Sequence, residues 1–326
     1  MTYLVPFGLR VPVVAAPMFL ISGPDLVVAA CAAGIIGAFP TPNARPIQVL
    51  EQWMADIITR LAVLRASKSD AVIGPWAANL VTHSSNERLP EDLKLIARYQ
   101  PPIVITALGG PKPAIEVVKS YGGKVYADVI NLTLAKKAVA AGVDGLACVC
   151  AGAGGHTGFL SPLAFVSAIR EFFDGTVIVG GGIADGWGVA GAIAAGADLV
   201  YMGTRFIATQ ESMAKPAYKQ MLIDSSADDL IVSAGLTGTP AIWLKQSLIE
   251  NGLDPANMPA PPTRSYNSNQ SLASKRWMDV WAAGQGVGLI KQVQTVADVV
   301  DELERDWRIA GKRLAAIASA HRGPLC

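Results

Sequence analysis

Short apolar runs rich in β-branched residues alternate with longer, alanine-rich amphipathic ones along the first two thirds of the chain. The short runs predict strands at 11–15, 35–39, 72–79, 103–108, 124–129, 145–150, 176–180 and 198–202. The longer runs predict helices at 24–33, 46–66, 89–99, 113–121, 132–141, 162–173 and 186–195. Several helices open on proline, whose missing N–H has no partner in a first turn anyway. Gly34, Gly122, Gly142 and Gly196 each follow a helix, where left-handed residues end helices. The strand runs are continuously apolar, as expected when both faces of a sheet are covered. Strands and helices repeating in this way predict a (β/α)₈ TIM barrel, with a doubly wound open sheet as the other reading.

Beyond Phe206 the pattern changes. Residues 210–283 are more polar and interrupted by proline, with an extended stretch at 258–263, a polar one at 265–271 and helix-like segments at 215–224 and 275–283. A long helix with alternating charge on one face is expected at 296–318. The expected organisation is a barrel of residues 1–209 and 284–326, with a small helical lid of residues 210–283 inserted after the last barrel strand.

Composition narrows the class of molecule. Hydrophobic residues are 51% and charged residues 16% of the 326, so the chain has the makings of a large core. The formal charge is +1, without a basic stripe, which argues against nucleic acid or an anionic membrane surface as a main partner. The longest apolar stretch, 26–39, falls short of the ~20 residues a membrane-spanning helix needs. The N-terminal segment lacks a basic region followed by an apolar one and a cleavage site. Cys31, Cys148, Cys150 and Cys326 have no disulfide or metal spacing. A reduced, cytoplasmic enzyme or binding protein is expected, with no metal; its oligomeric state is open, a homodimer included.

Three segments carry candidate chemistry. GGGIADG at 180–186 and MGTRF at 202–206 stand at the ends of the seventh and eighth strands, where barrels commonly bind phosphate. Neither fits the dinucleotide fingerprint or the P-loop. The third, CAGAGGHTG at 150–158, holds His156 among glycines, where an imidazole can exchange protons near neutral pH. A histidine that only braces its loop is the alternative. His83 and His321 lie in polar contexts without carboxylate partners at ligand spacing. Trp76, Trp243, Tyr266 and Trp281 are either pocket walls or packing residues. Asp185 and Arg205 read as loop anchors.

In chain order, VVAAPM (13–18), AANL (77–80), AGGHTG (153–158), GGGIADG (180–186), MGTRF (202–206) and AGQGVG (283–288) resemble the nitronate monooxygenase family, formerly called 2-nitropropane dioxygenases. The resemblance spans nearly the whole chain. It implies a TIM-barrel oxidoreductase with non-covalent FMN that oxidises alkyl nitronates with O2 to a carbonyl compound and nitrite. Relatives that reduce quinones or enoyl thioesters imply a second possibility, with NADH or NADPH as reductant. By residue, the resemblance makes His156 the catalytic group. It places Pro17, Met18, Asn79, Asp128, Gly154 and Gly155 near the flavin, and Gly180, Gly181, Gly182, Met202, Gly203 and Thr204 around its phosphate. Gln285 is expected to approach from the returning segment. Two positions depart from the family. Asp128 stands where relatives carry Gln or Lys, and a carboxylate there would disfavour an anionic reduced flavin. Gly152 stands where many members carry Glu, four residues before the histidine.

Overall fold

In a computed structural model, which describes residues 6–67, 71–260 and 278–320, eight parallel strands close into a barrel. They are β1 (Val13–Ala15), β2 (Ile36–Pro40), β3 (Trp76–Val81), β4 (Ile103–Ala107), β5 (Lys124–Val129), β6 (Gly145–Val149), β8 (Thr176–Gly180) and β9 (Leu199–Met202). The remaining strand in this part of the chain, β7 (Gly155–His156), lies outside the barrel. Closure comes from β1 against β9, with Val13 opposite Val200. The helices between strands are α1 (Pro24–Ala32), α2 (Ile47–Ser67), α3 (Leu89–Tyr99), α4 (Lys112–Ser120), α5 (Leu132–Ala141), α6 (Pro162–Arg170) and α7 (Gly186–Ala194). Gly34, Gly122, Gly142 and Gly196 all take positive φ, as their place after helices suggested.

Strand parity explains why the runs are apolar throughout. Successive side chains point to opposite faces of a strand. Val14, Ile36, Ala38, Ala77, Ile103, Ile105, Tyr126, Ala147, Ile178 and Leu199 fill the barrel interior. Their strand neighbours, among them Val13, Phe39, Ala78, Val104, Val125, Leu146, Val177 and Val200, pack outward against the helices. Trp76 belongs to this outer layer, stacked on Phe39 at 6.3 Å between ring centroids. The third strand begins at Trp76 rather than at 72, because Pro75 has no N–H to give a neighbouring strand. The C-terminal helix Val296–Ala320 packs against α7 and α1, and Arg10 holds it through Asp301 at 2.8 Å and Glu304 at 2.5 Å.

Residues 210–283 correct the expectation of a helical lid. They contain α9 (Pro216–Asp224) and α10 (Lys245–Glu250), but also an antiparallel pair, β10 (Leu230–Ser233) and β11 (Ala241–Leu244). Here LIVS and AIWL flank a turn rich in Gly, Thr and Pro, which is a hairpin pattern. Trp243 is fully buried on the hairpin and donates its indole N–H to the Ser233 carbonyl at 3.2 Å. The third strand of this small sheet is β7, so the segment joins the barrel at His156. The stretch 265–271 with Tyr266, residues 275–277 of the expected helix 275–283, His321 and Cys326 lie outside the described residues. No helix among the described residues is long and apolar enough to cross a membrane.

Candidate active site

A cavity of about 1430 Å³ opens at the C-terminal ends of the barrel strands. Its floor continues the inward parity of the barrel. Asn79, Asp128 and Tyr201 come two residues after the interior side chains Ala77, Tyr126 and Leu199, and all three line the cavity. They make a polar layer directly above an apolar one. Asn79 donates from Nδ2 to Asp128 Oδ2 at 3.4 Å. The other carboxyl oxygen, Asp128 Oδ1, and the Tyr201 hydroxyl have no protein partner and are shielded from bulk water. Buried polar atoms rarely go without a partner in a native fold, so this floor is suited to a polar ligand. Burial pushes Asp128 up to about 7, opposed in part by the Asn79 hydrogen bond. Near neutral pH its carboxyl can therefore either donate or accept a hydrogen bond. Burial also raises Tyr201 well above the usual phenol range, with the nearby Asp128 charge adding to the effect.

The glycine-bearing strand ends stand beside this floor. Gly180 ends β8 and Gly181 and Gly182 follow it, while Gly203 and Thr204 lead from β9 into a single helical turn, Thr204–Ile207. Gly182 adopts φ +70°, a conformation L side chains avoid. A Cβ on Gly182 or Gly203 would meet no protein atom closer than 3.5 Å, so it would stand in ligand space. Gly154 has a different reason for being glycine. A Cβ there would come within 2.6 Å of the Gly284 nitrogen, where the returning segment crosses. Two further bonds stitch that crossing: the Gly284 N–H to Thr204 Oγ1 at 2.9 Å, and the Gln285 N–H to the Gly152 carbonyl at 3.0 Å.

His156 lines the cavity from β7 rather than from a bare loop, which corrects the sequence reading. It lies opposite Ala241, and the next residue, Thr157, donates its N–H to the Pro240 carbonyl at 3.1 Å and its hydroxyl to the Cys150 carbonyl at 3.0 Å. Pro17, Met18 and Gly155 also line the cavity, and Ile21, Tyr218 and Trp281 close it from the side of the added segment. Tyr218 and Trp281 stack at 4.9 Å with rings 10° from parallel.

Two expected residues are placed differently. Met202 faces outward into the core between barrel and helices, because parity gives the inward place to Tyr201. Only its backbone is near, the carbonyl accepting the Ala16 N–H at 2.9 Å. Gln285 is not on the cavity wall, although Gly284 and Gly286 are; its side chain lies against Gly152 and Gly182. Tyr201 was missed by sequence reading, although its parity with Leu199 was the available signal. The anchors behave as anchors: Asp185 caps α7 by accepting from the Gly188 N–H at 2.7 Å, and Arg205 pairs with Glu302 at 2.6 Å. His83 is bonded to Ser85 at 2.8 Å, and no group of metal-ligating side chains exists among the described residues.

Comparison with known proteins places this geometry. The nitronate monooxygenase family model matches residues 5–306. The chain belongs to the nitronate monooxygenase family, a family of oxidoreductases. A nitronate monooxygenase of Paraburkholderia phytofirmans is 28% identical, the match covering 96% of each chain. Two solved structures share the fold at 23% identity and a TM-score of 0.74. One is FabK from Thermotoga maritima, covering 95% of this chain and 97% of that one. The other is a nitroalkane oxidase from Streptomyces ansochromogenes, covering 94% and 98%. The likeness to these two structures is one of fold, a closed parallel barrel.

Proposed function

We propose that this member of the family is an FMN-dependent nitronate monooxygenase acting on alkyl nitronates with O2. The observation that carries the reading is the pairing, within one cavity, of open glycine backbone at Gly182 and Gly203 with a polar floor whose Asp128 Oδ1 and Tyr201 hydroxyl lack partners. These features fit a molecule with an anionic end and a hydrogen-bonding ring. FMN held there without a covalent bond would supply the redox chemistry between nitronate and O2. The chain's own contributions are positional. Gly180–Gly182 and Gly203–Thr204 would hold the phosphate, Asn79, Asp128 and Tyr201 would meet the polar edge of the ring, and Pro17 and Met18 would lie along it.

His156 would hold the planar anionic substrate, or remove the α-proton when the substrate arrives as a neutral nitroalkane; a positioned base contributes ~10²–10⁴ in rate. The 210–283 segment, taken as a cover on a barrel of 1–209 and 284–326, would exclude water from that site. A cavity of about 1430 Å³ exceeds the ~300–1,000 Å³ of ordinary ligand pockets, leaving room for substrate beside a cofactor. The test is anaerobic mixing of the FMN-loaded protein with ethyl nitronate and, separately, with NADH and NADPH. Bleaching of the flavin by the nitronate alone supports the reading. Bleaching only by a nicotinamide would replace it with a quinone or enoyl reductase.

A further inference from the structure

The cavity does not end at the barrel mouth. It runs outward past Ile130 along one face of α5, where Leu134, Lys137, Ala138 and Ala141 follow one another at i, i+3, i+4 and i+7. The helices leave this space open: α4 packs on α3 and α5 on α6, but α4 and α5 barely meet. The opposite wall is the loop after β4, ending in Lys112. Within that loop Leu108 is held at φ +59°, which a leucine avoids, and it keeps its side chain 39% exposed. Strained backbone of this kind persists where the surroundings fix it, often at ligand sites. Gly109 fixes it here, for a Cβ at that position would lie 2.4 Å from the Thr82 backbone. Phe159, 78% exposed, completes the apolar lining.

The charges along the cavity are unbalanced in the same place. Asp128 lies at the floor, and Arg45 donates to the Pro42 carbonyl and sits over the Phe19 ring. The side chains of Lys112 and Lys137 line the outer arm and make no ion pair or hydrogen bond among the described residues. An apolar trough flanked by two uncommitted cations is complementary to a chain with an anionic end.

We propose that the arm between α5 and the β4–α4 loop binds an anionic amphiphile, so that the enzyme's substrate carries its reactive carbon on an apolar tether ending in a carboxylate or phosphate at Lys112 and Lys137. The proposal rests on the assignment of the barrel mouth as the reaction site, and it narrows the substrate class within the alkyl nitronates.

The test measures binding, separately from turnover. Isothermal titration of the FMN-loaded full-length protein uses octanoate and octyl phosphate, with 1-octanol as the uncharged control and butyrate as the short one. One of the two octyl anions is expected to bind at least tenfold more tightly than 1-octanol or butyrate, and the tighter of the two names the head group. The K112E/K137E double variant should lose at least tenfold in that affinity, while its 1-octanol affinity and the bleaching of its flavin by ethyl nitronate stay within twofold of wild type. Equal binding of octanol and the anions, or anion binding indifferent to the double variant, overturns the proposal. So does light scattering that shows a wild-type dimer and a monomeric L134D variant, because the trough would then be a contact between copies. If octyl anions bind through the lysines but ethyl nitronate leaves the wild-type flavin coloured, the nitronate reading falls and the arm stands.

Discussion

His156 faces Ala241 across an antiparallel pair, so the candidate base is held in register by a strand that follows it by more than eighty residues. The imidazole is thereby positioned by the covering segment and not by its own glycine-rich surroundings. Replacing His156 by Asn keeps a polar side chain on β7. With a base role, turnover of neutral nitroalkanes should fall by ~10²–10⁴ while flavin reduction by the preformed nitronate is spared. Stopped-flow reduction with both substrate forms makes the comparison; a parallel loss through raised KM assigns His156 to anion binding instead.

Asp128 gives a prediction with a definite sign. Its carboxyl is raised from 3.8 to about 7 by burial, so the folded state binds this proton more tightly than the unfolded chain does. The associated stability is fully present below pH ~4, declines as pH rises through about 7, and then stays flat. Asp128→Asn removes the titration. Thermal melts of the FMN-free protein should therefore show wild type losing ground to the variant between pH 4 and 7. A difference in Tm that does not change with pH would show that the carboxyl titrates normally.

Gly203→Val separates ligand space from folding space. Its Cβ would meet nothing closer than 3.5 Å in the protein, with Met18 Sδ the nearest atom. The variant should melt within a few degrees of wild type yet retain at least tenfold less FMN on gel filtration. Gly181→Val is the contrasting case, since its Cβ would fall 2.5 Å from the Ala151 carbonyl oxygen and disturb the fold itself. Full flavin occupancy in the Gly203 variant would move the phosphate elsewhere.

Trp243→Ala tests whether the hairpin holds His156 in place. The indole is fully buried, and truncating a buried aromatic of this size costs ~3–5 kcal/mol. Urea unfolding should show that loss. Flavin binding in the folded fraction should survive, because the glycines proposed to hold its phosphate lie at the ends of β8 and β9. Turnover should drop as β7 loosens; unchanged kcat in the folded variant would mean that β7 holds its register without the hairpin.

The barrel was legible because its strands are buried on both faces, which leaves continuous apolar runs separated by helices of ordinary length. The glycines at strand ends and the histidine among glycines stood out chemically, whereas Pro17, Met18, Asn79, Asp128 and Gln285 were reached only through the family resemblance. Met202 was misjudged and Tyr201 overlooked through the same omission, that of counting parity from Leu199. The hairpin of β10 and β11 falls inside the segment expected to be a helical lid and was not foreseen, because its strands are four residues long, too short for a period to declare itself. The pairing of β7 with β11 depends on chain segments far apart in sequence, and local pattern carries no trace of it.

The crossing of the returning segment over the glycine loops bears on rates. Its bonds start from main-chain N–H groups, Gly284 to Thr204 Oγ1 and Gln285 to the Gly152 carbonyl, and Gly154 beside them has no room for a Cβ. A ligand end seated beside them would be bordered there by a bonded crossing of the chain rather than by one side chain free to rotate. Dissociation should therefore be slow relative to affinity, with a steep dependence on temperature, and the protein should emerge from purification still carrying whatever it enclosed as it folded.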